Sequence, residues 1–517
     1  MRSLRLRVLA ALLILAAAGA VAWQLLPADG AGKTIRVGTT DDVTSLDPAG
    51  AYDAGSWALF SNVFQSLLTF EPGGSSPVPD AAKHCAFAGS GLRTYRCELR
   101  DDLTFPSGRP MTARDVKFSF DRVKRINSEV GPASLFSTLG SVDADGLTVT
   151  FHLSSPDATF PFKVATGAGS IVDSTRYPKT YLRKDGAVDG TGPYVLTKYT
   201  KGHQAELRPN SRYRGAVQHS DSPVSLRYYA DPARLDAAWK AKRIDVVTRE
   251  LPPGVLQKLS PSDPRQRVTE VDSAETRNLV LNVRPGSPLH SAAVRQAVAA
   301  VIDRDRLAGT TYRGTVDALY SLIPTGITGH TASFFDAYPK PDPDKARKLL
   351  SKAGITTPVR FTYGYAKNRG AAEQEATEIK RQLEASGLFK VTLKGYEWTD
   401  FQRQYAAGKL DAFAIGWVAD FPDPDTFSAA LVGTGGSMRN GYSSKTVDAL
   451  IRDSQRYEDR AQTERDFRDI QADIARDVPL IPLWQGKEYV VTSEAVGGGQ
   501  YLTDGTGVFR LWSLNWI

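Results

Sequence analysis

The stretch Asp411–Phe427, DAFAIGWVADFPDPDTF, decides the fold and contains the first candidate site. Its opening, Ala412–Ile415, is an uninterrupted apolar run typical of a buried strand, and the chain then enters a loop at Trp417. Asp420 follows on this loop between apolar neighbours. A carboxylate flanked by aromatic surface at the end of a strand can hold a cation. We therefore expect Asp420, Trp417 and Phe421 to contact a ligand.

Further acids follow Asp420 on the same loop. The prolines of the PDPD run fix φ and remove hydrogen-bond donors, which stiffens the loop. Asp423 and Asp425 stand just before Thr426–Leu431, a position that fits the N-terminal cap of a helix, and we assign this structural role to Asp425. A second interpretation is an acid/base pair of Asp420 with Asp423 or Asp425, as in a hydrolase.

The chain upstream of this stretch alternates strands and helices. Val359–Tyr365 and Val391–Tyr396 have the pattern of strands, and Gln374–Ser386 has that of the helix between them. This order indicates a parallel α/β unit with a right-handed crossover. Ligands in such units collect at the carboxyl ends of the strands, which is where Trp417 and Asp420 are expected.

The composition is that of a soluble globular protein. The chain has 517 residues, 41% hydrophobic and 23% charged, which argues against extensive disorder and against a polytopic membrane protein. At roughly 150 residues per domain the length predicts about three lobes. The basic residues are scattered and no nucleic-acid-binding motif occurs, so we expect no nucleic-acid partner. The six histidines show no metal-ligand spacing, so we expect neither a metal nor a cofactor.

The N-terminal segment has the features of an export signal. Three arginines in the first seven residues precede an uncharged run, Val8–Val21, and Ala20–Ala22 fits a signal-peptidase site. We expect either cleavage near Ala22 or retention of residues 1–32 as a short membrane anchor with its linker. No cysteine follows for a lipoprotein anchor. Without residues 1–22 the chain holds 61 basic and 57 acidic residues, a net charge of +4.

The two cysteines, Cys85 and Cys97, lie twelve residues apart. In an exported chain we expect them to form a disulfide, which stabilises the fold by about 3 kcal/mol in the chain-entropy model. Two alternatives remain open. A metal site would have only His84 as a nearby extra ligand, and a catalytic thiol would need a base that the sequence does not identify.

Five blocks of sequence, in order along the chain, resemble the extracytoplasmic solute-binding proteins of ABC transporters, in the family that contains the oligopeptide- and dipeptide-binding proteins. The blocks are SLDPAGAYD (45–53), LRDDLTFPSGRPMTARDVKFSFDRV (99–123), GTGPYVL (190–196), LNVRPGSPLHSAAVRQAVAAVIDR (281–304) and GWVADFPDPDTF (416–427). The resemblance implies an α/β fold of the two-lobed, type II periplasmic-binding-protein kind. Such a fold is a hinged clamshell with an extra subdomain on lobe I.

The resemblance also implies a division of the chain. We expect lobe I to comprise residues 33–70, 190–282 and 480–517. The extra subdomain would span residues 71–189, and lobe II would span residues 283–479.

The resemblance assigns roles to several residues. In the peptide-binding members, the aspartate of a W-x-x-D motif pairs with the α-ammonium of the peptide. By this resemblance that role falls on Asp420, with Trp417 as the wall of a side-chain pocket. The loop through Tyr52, Asp53 and Ala54 would lie against the ligand backbone. The expected ligand-binding set is completed by Asn282, in the fourth block, and by Arg403, a candidate for the ligand carboxylate by nearness in sequence.

The function implied by the resemblance is that of a monomeric receptor, not an enzyme. It would bind a short peptide or similar small solute and deliver it to the permease subunits of an ABC importer. Alternatives within the same fold are a nickel chelate, a signalling peptide or a sugar. For a sugar, stacking surfaces could come from Trp417, Trp398, Trp484 and Tyr52.

Overall fold

The computed structural model describes residues 32–218, 221–503 and 508–517. The predicted export or anchor segment therefore lies, except for its last residue, outside the described residues. The strands are β1 (Ile35–Thr39), β2 (Leu68–Thr69), β3 (Val78–Pro79), β4 (Ala82–Phe87), β5 (Thr94–Leu99), β6 (Leu139–Asp145), β7 (Thr148–Leu153), β8 (Tyr194–Thr200), β9 (Gln204–Pro209), β10 (Val224–Tyr228), β11 (Val246–Thr248), β12 (Gln266–Leu281), β13 (Val316–Ala318), β14 (Val359–Ala366), β15 (Phe389–Tyr396), β16 (Ala412–Trp417), β17 (Leu480–Ser493), β18 (Val496–Gly497) and β19 (Asn515–Trp516).

The helices connect and cover these strands. They are α1 (Ala54–Val63), α2 (Ala113–Ile126), α3 (Phe160–Val164), α4 (Pro232–Lys240), α5 (Pro253–Leu256), α6 (Ala292–Val301), α7 (Arg304–Arg306), α8 (Ser333–Ala337), α9 (Pro343–Lys352), α10 (Ala372–Ala385), α11 (Trp398–Ala406), α12 (Asp425–Val432), α13 (Lys445–Ser454) and α14 (Glu464–Asp477). Within the described ranges, none of the helices has the length and apolar character needed to cross a bilayer.

One large sheet runs through both lobes. Its strand order is β15-β14-β16-β12-β17-β11-β1-β10-β9-β8, and β13 pairs with β17. The long strands β12 and β17 are antiparallel to each other and carry the chain from one lobe to the other. Their register shifts between Asp272 and Thr276. Because a bulge bends a strand pair and increases its twist, this shift separates the two halves of the sheet.

The half of the sheet in lobe II contains the predicted parallel α/β unit. Strand β14 pairs in parallel with β15 and with β16. Helix α10 connects β14 to β15, as the strand–helix–strand pattern predicts, and each predicted boundary lies within two residues of the observed one. All four of Ala412–Ile415 are buried in the lobe II core.

The half of the sheet in lobe I is built on β1. This strand pairs in parallel with β10 and β11, and β9 and β8 continue the sheet in antiparallel order. Helix α1 packs on this half through the buried side chains of Trp57, Leu59, Phe60 and Val63. The carboxylate of Asp53 accepts a hydrogen bond from the amide of Ser56 and caps the helix.

The extra subdomain on lobe I has its own four-stranded antiparallel sheet, in the order β4-β5-β7-β6. Cys85 and Cys97 face each other across β4 and β5 and form the predicted disulfide. The predicted capping box of Thr112 and Asp115 begins helix α2, which packs on β6.

Two large buried clusters form the cores of the lobes. The lobe II core includes Leu279–Leu281 and Leu480–Leu483, which the predicted boundaries assign to lobe I. Farther along β17, Val490 belongs to the lobe I core. Packing therefore favours a division inside β12 and β17, close to the bulge. The boundaries at 282 and 480 stay predictions.

Candidate functional site

A cavity lies between the two lobes at the carboxyl end of β16. Its volume is about 1000 Å³ when the part open to solvent is counted, which is at the upper end of the range for small-molecule sites. Lobe I contributes Asp41 and residues 52–55 to its wall. Lobe II contributes residues 414–420 and the side of α11 that carries Trp398 and Phe401.

Asp420 presents a buried carboxylate to this cavity. The residue is 5% exposed. Its Oδ2 accepts hydrogen bonds from the hydroxyl groups of Tyr52 at 2.5 Å and Thr426 at 3.1 Å. No donor from the described residues reaches Oδ1. Burial raises the pKa of Asp420 to about 7, although the hydrogen bonds from Tyr52 and Thr426 act in the opposite direction. A cation at Oδ1 would therefore favour the ionised form.

Thr426 holds the loop that carries Asp420. Its hydroxyl oxygen accepts a hydrogen bond from the Asp420 amide at 3.1 Å and one from Nε1 of Trp417 at 3.4 Å. The same hydroxyl donates to Oδ2 of Asp420. The first turn of α12 thus fixes both the backbone and the side chain of Asp420, so the carboxylate is oriented before a ligand arrives.

Three aromatic rings line the cavity together with Asp420. The ring of Tyr52 stacks on Trp57 with centroids 5.2 Å apart and an interplanar angle of 23°. The ring of Trp417 meets Tyr52 edge-on at 5.6 Å. Apolar ring surface beside a carboxylate lowers the local dielectric constant, which strengthens any charge pair formed there.

Three arginines line the part of the cavity that borders a second chamber, and we call this part the arginine end. Arg277 donates from Nε to Glu375 at 2.9 Å. Arg369 lies 4.6 Å above the Trp398 ring and pairs with Asp42. For Arg249 the nearest carboxylate oxygen is 3.5 Å away, on Asp41. The three arginines separate this cavity from a second chamber, lined in part by Tyr312, Val316 and Trp484.

The sequence analysis did not identify these arginines. Arg277 lies on β12 two residues after Glu275, so both side chains emerge from the same face of the strand in front of a buried run. Two charged side chains on one face of a strand that leads into the core could have indicated a binding site. Arg249 and Glu250 both adopt positive φ, +59° and +54°, a conformation that costs energy in residues other than glycine and is typical of functional sites.

Five of the predicted ligand-binding residues lie together on the cavity wall. They are Asp420, Trp417, Tyr52, Asp53 and Ala54. Phe421 lies apart from them. It is fully buried, packs on Phe162 at 5.7 Å and faces a neighbouring cavity between lobe II and the extra subdomain.

Asn282 and Arg403 lie outside the cavity wall. The Asn282 side chain donates to the carbonyl groups of Gly408 and Leu410 and joins the end of β12 to the segment before β16. The Arg403 side chain is 64% exposed and pairs with Asp400 at 3.2 Å. Since neither residue lines the cavity, neither enters the function proposed below.

The acids that follow Asp420 have structural partners. The N-cap position of α12 is Pro424, so the prediction that Asp425 caps this helix is wrong. Asp423 accepts the amide of Asp425 at 2.9 Å instead, and it also pairs with Arg460. The Asp425 carboxylate accepts a hydrogen bond from Gln455 at 3.0 Å.

A buried lysine joins the extra subdomain to lobe II. The ammonium group of Lys163 lies 2.8 Å from Asp157 and 3.8 Å from Asp425. Next to it, the amide of Ala158 donates to the carbonyl of Gln455 at 2.8 Å. These contacts cross between the lobes outside the cavity. For the described residues, the structure contains no group of three His, Cys, Asp or Glu side chains that could hold a metal ion.

Comparisons with known proteins place this geometry in a family. The chain is 26% identical to the probable D,D-dipeptide-binding periplasmic protein DdpA of Escherichia coli (strain K12), over 96% of each chain. It is 26% identical to the di/tripeptide-binding protein 2 of Pseudomonas aeruginosa (strain UCBPP-PA14), over 91% of this chain and 92% of the relative.

The fold is shared with solved structures. The periplasmic binding protein DppA of Helicobacter pylori, in complex with the peptide STSA, superposes with a TM-score of 0.84 at 24% identity, covering 93% of this chain and 98% of that one. The family model of the bacterial extracellular solute-binding proteins, family 5 Middle, matches residues 76–439. The chain belongs to the bacterial extracellular solute-binding proteins of family 5.

Proposed function

We propose that the protein is an extracytoplasmic receptor that binds a short peptide between its lobes and delivers it to the permease subunits of an ABC importer. The observation that carries this proposal is the Asp420 carboxylate, which is buried at the cavity between the lobes and whose Oδ1 accepts no hydrogen bond from a described residue. The α-ammonium of a peptide is a compact cation with three donors, and it fits this acceptor.

The surroundings of Asp420 favour a charged partner. Charge-assisted hydrogen bonds are roughly twice as strong as neutral ones, and they gain further when water is excluded. Tyr52 and Thr426 occupy only Oδ2. An ammonium at Oδ1 would compensate the burial of the carboxylate. Loss of one partner from such a buried pair costs about 3 to 5 kcal/mol.

The arginine end of the cavity suits the carboxylate of the same peptide. Arg249, Arg277 and Arg369 line the cavity that also contains Asp420. Arg277 uses Nε for Glu375, and a guanidinium group offers five N–H donors in a planar fork that matches a carboxylate. The cavity thus offers a carboxylate for the ammonium group and guanidinium donors for the carboxylate of a zwitterionic peptide.

The relatives support the same ligand class. The named relatives are a D,D-dipeptide-binding and a di/tripeptide-binding protein. A sugar is less well supported, because three of the four candidate stacking residues have a ring or cation packed on them: Tyr52 stacks on Trp57, and Arg369 covers Trp398. Trp484 packs on Tyr312. A nickel chelate has no comparable observation in its favour, and a signalling peptide would use the same Asp420 carboxylate as any other peptide.

The receptor is not an enzyme in this proposal. The hydrolase interpretation requires Asp420 to work with Asp423 or Asp425. Arg460 pairs with Asp423, and Asp425 faces the neighbouring cavity beside Lys163. A turnover screen on peptides and glycosides is expected to show binding without product release.

Native mass spectrometry of the purified protein tests the proposal. We expect a monomer that carries a co-purifying mass in the range of di- to tetrapeptides and loses it on unfolding. Reloading of the stripped protein with a defined dipeptide mixture should restore a peptide-bound peak. A bound sugar or metal chelate, with no uptake of dipeptides, would contradict the proposal.

A further inference from the structure

Glu275 is a second carboxylate on the cavity wall, and no donor among the described residues forms a hydrogen bond to it. It lies at the bulge of β12, where its amide donates to Ser273, and its side chain lines both the peptide cavity and the second chamber. The nearest cationic atom is Nη1 of Arg249, at 3.8 Å. This distance is too long for a hydrogen bond, so Arg249 forms an ion pair with the carboxylate without hydrogen-bonding to it, and the Glu275 side chain remains 28% exposed.

Two glycines leave room around the Glu275 carboxylate. A Cβ atom on Gly416 would lie 2.5 Å from Oε1 of Glu275, and a Cβ atom on Gly486 would lie 3.5 Å from the Glu275 Cβ. Gly416 belongs to the strand that leads to Asp420. The absence of side chains at these two positions opens a notch in the cavity wall, and the Glu275 carboxylate lies in it.

The charges around the cavity do not balance. The described residues that line the two chambers include four basic side chains, Arg249, Arg277, Arg369 and Lys487, and six acidic ones, Asp41, Asp53, Glu250, Glu275, Asp420 and Glu488. A zwitterionic peptide has no net charge and leaves this excess of negative charge in place. A peptide with an additional positive charge reduces it.

The pKa of Glu275 reflects the excess of negative charge around it. Burial raises the pKa of Glu275 to about 7, Arg249 and Arg277 act to lower it, and Glu250 and Glu488 act to raise it further. The nearby guanidinium groups therefore leave the ionised form of this carboxylate less favoured than it is in water. A cationic group of the ligand would do so.

We propose that the peptide carries a basic side chain and that Glu275 binds it, while Asp420 binds the α-ammonium group. The inference rests on the proposed peptide-receptor function and names the substrate class of that site. The two carboxylates lie on one cavity, so a single ligand can reach both. The preferred ligand is then a short peptide with lysine or arginine.

Calorimetry with four dipeptides tests the inference. The probes are alanyl-lysine and lysyl-alanine, each compared with the dipeptide that has norleucine in place of lysine. Norleucine keeps the alkyl chain and removes the charge. We expect at least one lysine dipeptide to bind ten times more tightly than its norleucine counterpart. In Glu275→Gln this advantage should disappear, while the affinity for the norleucine dipeptide stays within about threefold.

The control is Glu464→Gln, on α14. The Glu464 side chain is 62% exposed and pairs with Arg468, and it lines neither chamber, so its loss should leave the lysine preference intact. A thermal melt of each variant verifies folding. If no dipeptide binds the wild-type protein, the proposed function itself fails. If the norleucine dipeptides bind but the lysine advantage is under tenfold, or persists in Glu275→Gln, the inference about Glu275 is overturned.

Discussion

The hydroxyl of Tyr52 in lobe I donates a hydrogen bond of 2.5 Å to Oδ2 of Asp420 in lobe II. This bond crosses the cleft, so it links closure of the lobes to the carboxylate that we propose binds the ligand. A hydrogen bond to a charged group contributes about 1.5 to 3 kcal/mol. For Tyr52→Phe we therefore predict a peptide affinity lower by roughly 10- to 100-fold, measured by calorimetry.

The control for this prediction is Tyr457→Phe. Tyr457 is 38% exposed and lies away from the cavity wall, so its affinity should equal that of the wild type. If the Tyr52→Phe and Tyr457→Phe proteins bind peptides with equal affinity, the hydrogen bond from Tyr52 to Asp420 does not contribute to binding.

Peptide affinity should depend on pH through Asp420. Burial raises the pKa of Asp420 to about 7 without ligand, and a bound ammonium lowers the pKa again. Binding therefore releases a proton below about pH 7. The affinity should reach its full value just above pH 7, below the peptide α-amino pKa of about 8, and fall as the pH decreases, by at most about tenfold per pH unit. In Asp420→Asn the curve should be flatter. Affinity that rises on acidification would contradict this sign.

The disulfide should stabilise the extra subdomain without contributing to the site. Cys85 and Cys97 lie on paired strands of its sheet, apart from the cavity wall. Closing a loop of this length is worth about 3 kcal/mol in the unfolded-state model. We predict that Cys85→Ser with Cys97→Ser lowers the free energy of urea unfolding by about this amount and leaves peptide affinity unchanged under folded conditions. An unchanged urea midpoint would refute the stabilising role.

The buried lysine between the lobes should be required for stability. In Lys163→Met the apolar stem is kept, but Asp157 and Asp425 lose the cation that lies at 2.8 Å and 3.8 Å. We predict a loss of about 3 to 5 kcal/mol of unfolding free energy. The exposed Lys240, paired with Asp236, provides the control: Lys240→Met should cost under about 1 kcal/mol. Equal stabilities of the two variants would show that the Lys163 pairs contribute nothing.

Local patterns predicted the parts of the fold that depend on neighbours in sequence. The strand–helix–strand unit of lobe II follows from periodicity, and its strands pair as predicted. Asp420 lies three residues after the end of β16, so its position at the carboxyl end of this strand could also be predicted from the sequence. The capping box at Thr112 and the disulfide were also predicted from residues close together in sequence, and the structure contains both.

Local sequence patterns could not predict the arginine end of the cavity. Arg249, Arg277 and Arg369 come from three distant segments, and only the pairing of β12 with β17 and the approach of the lobes bring them together. Arg403 shows the converse: it is close to Asp420 in sequence, but its helix directs the side chain toward solvent and Asp400. Nearness in sequence does not predict nearness across a cleft.

The central claim is that Asp420 binds the α-ammonium group of a peptide. The most direct test is calorimetry of Asp420→Asn with the tightest-binding dipeptide and with its N-acetylated form, which lacks the cation. We predict a loss of at least about a hundredfold for the free dipeptide in Asp420→Asn, at roughly 1.4 kcal/mol per decade. The acetylated form should bind weakly to both proteins, and the exposed Asp400→Asn control should match the wild type. Asp420→Asn with unchanged affinity for the free dipeptide would contradict the claim.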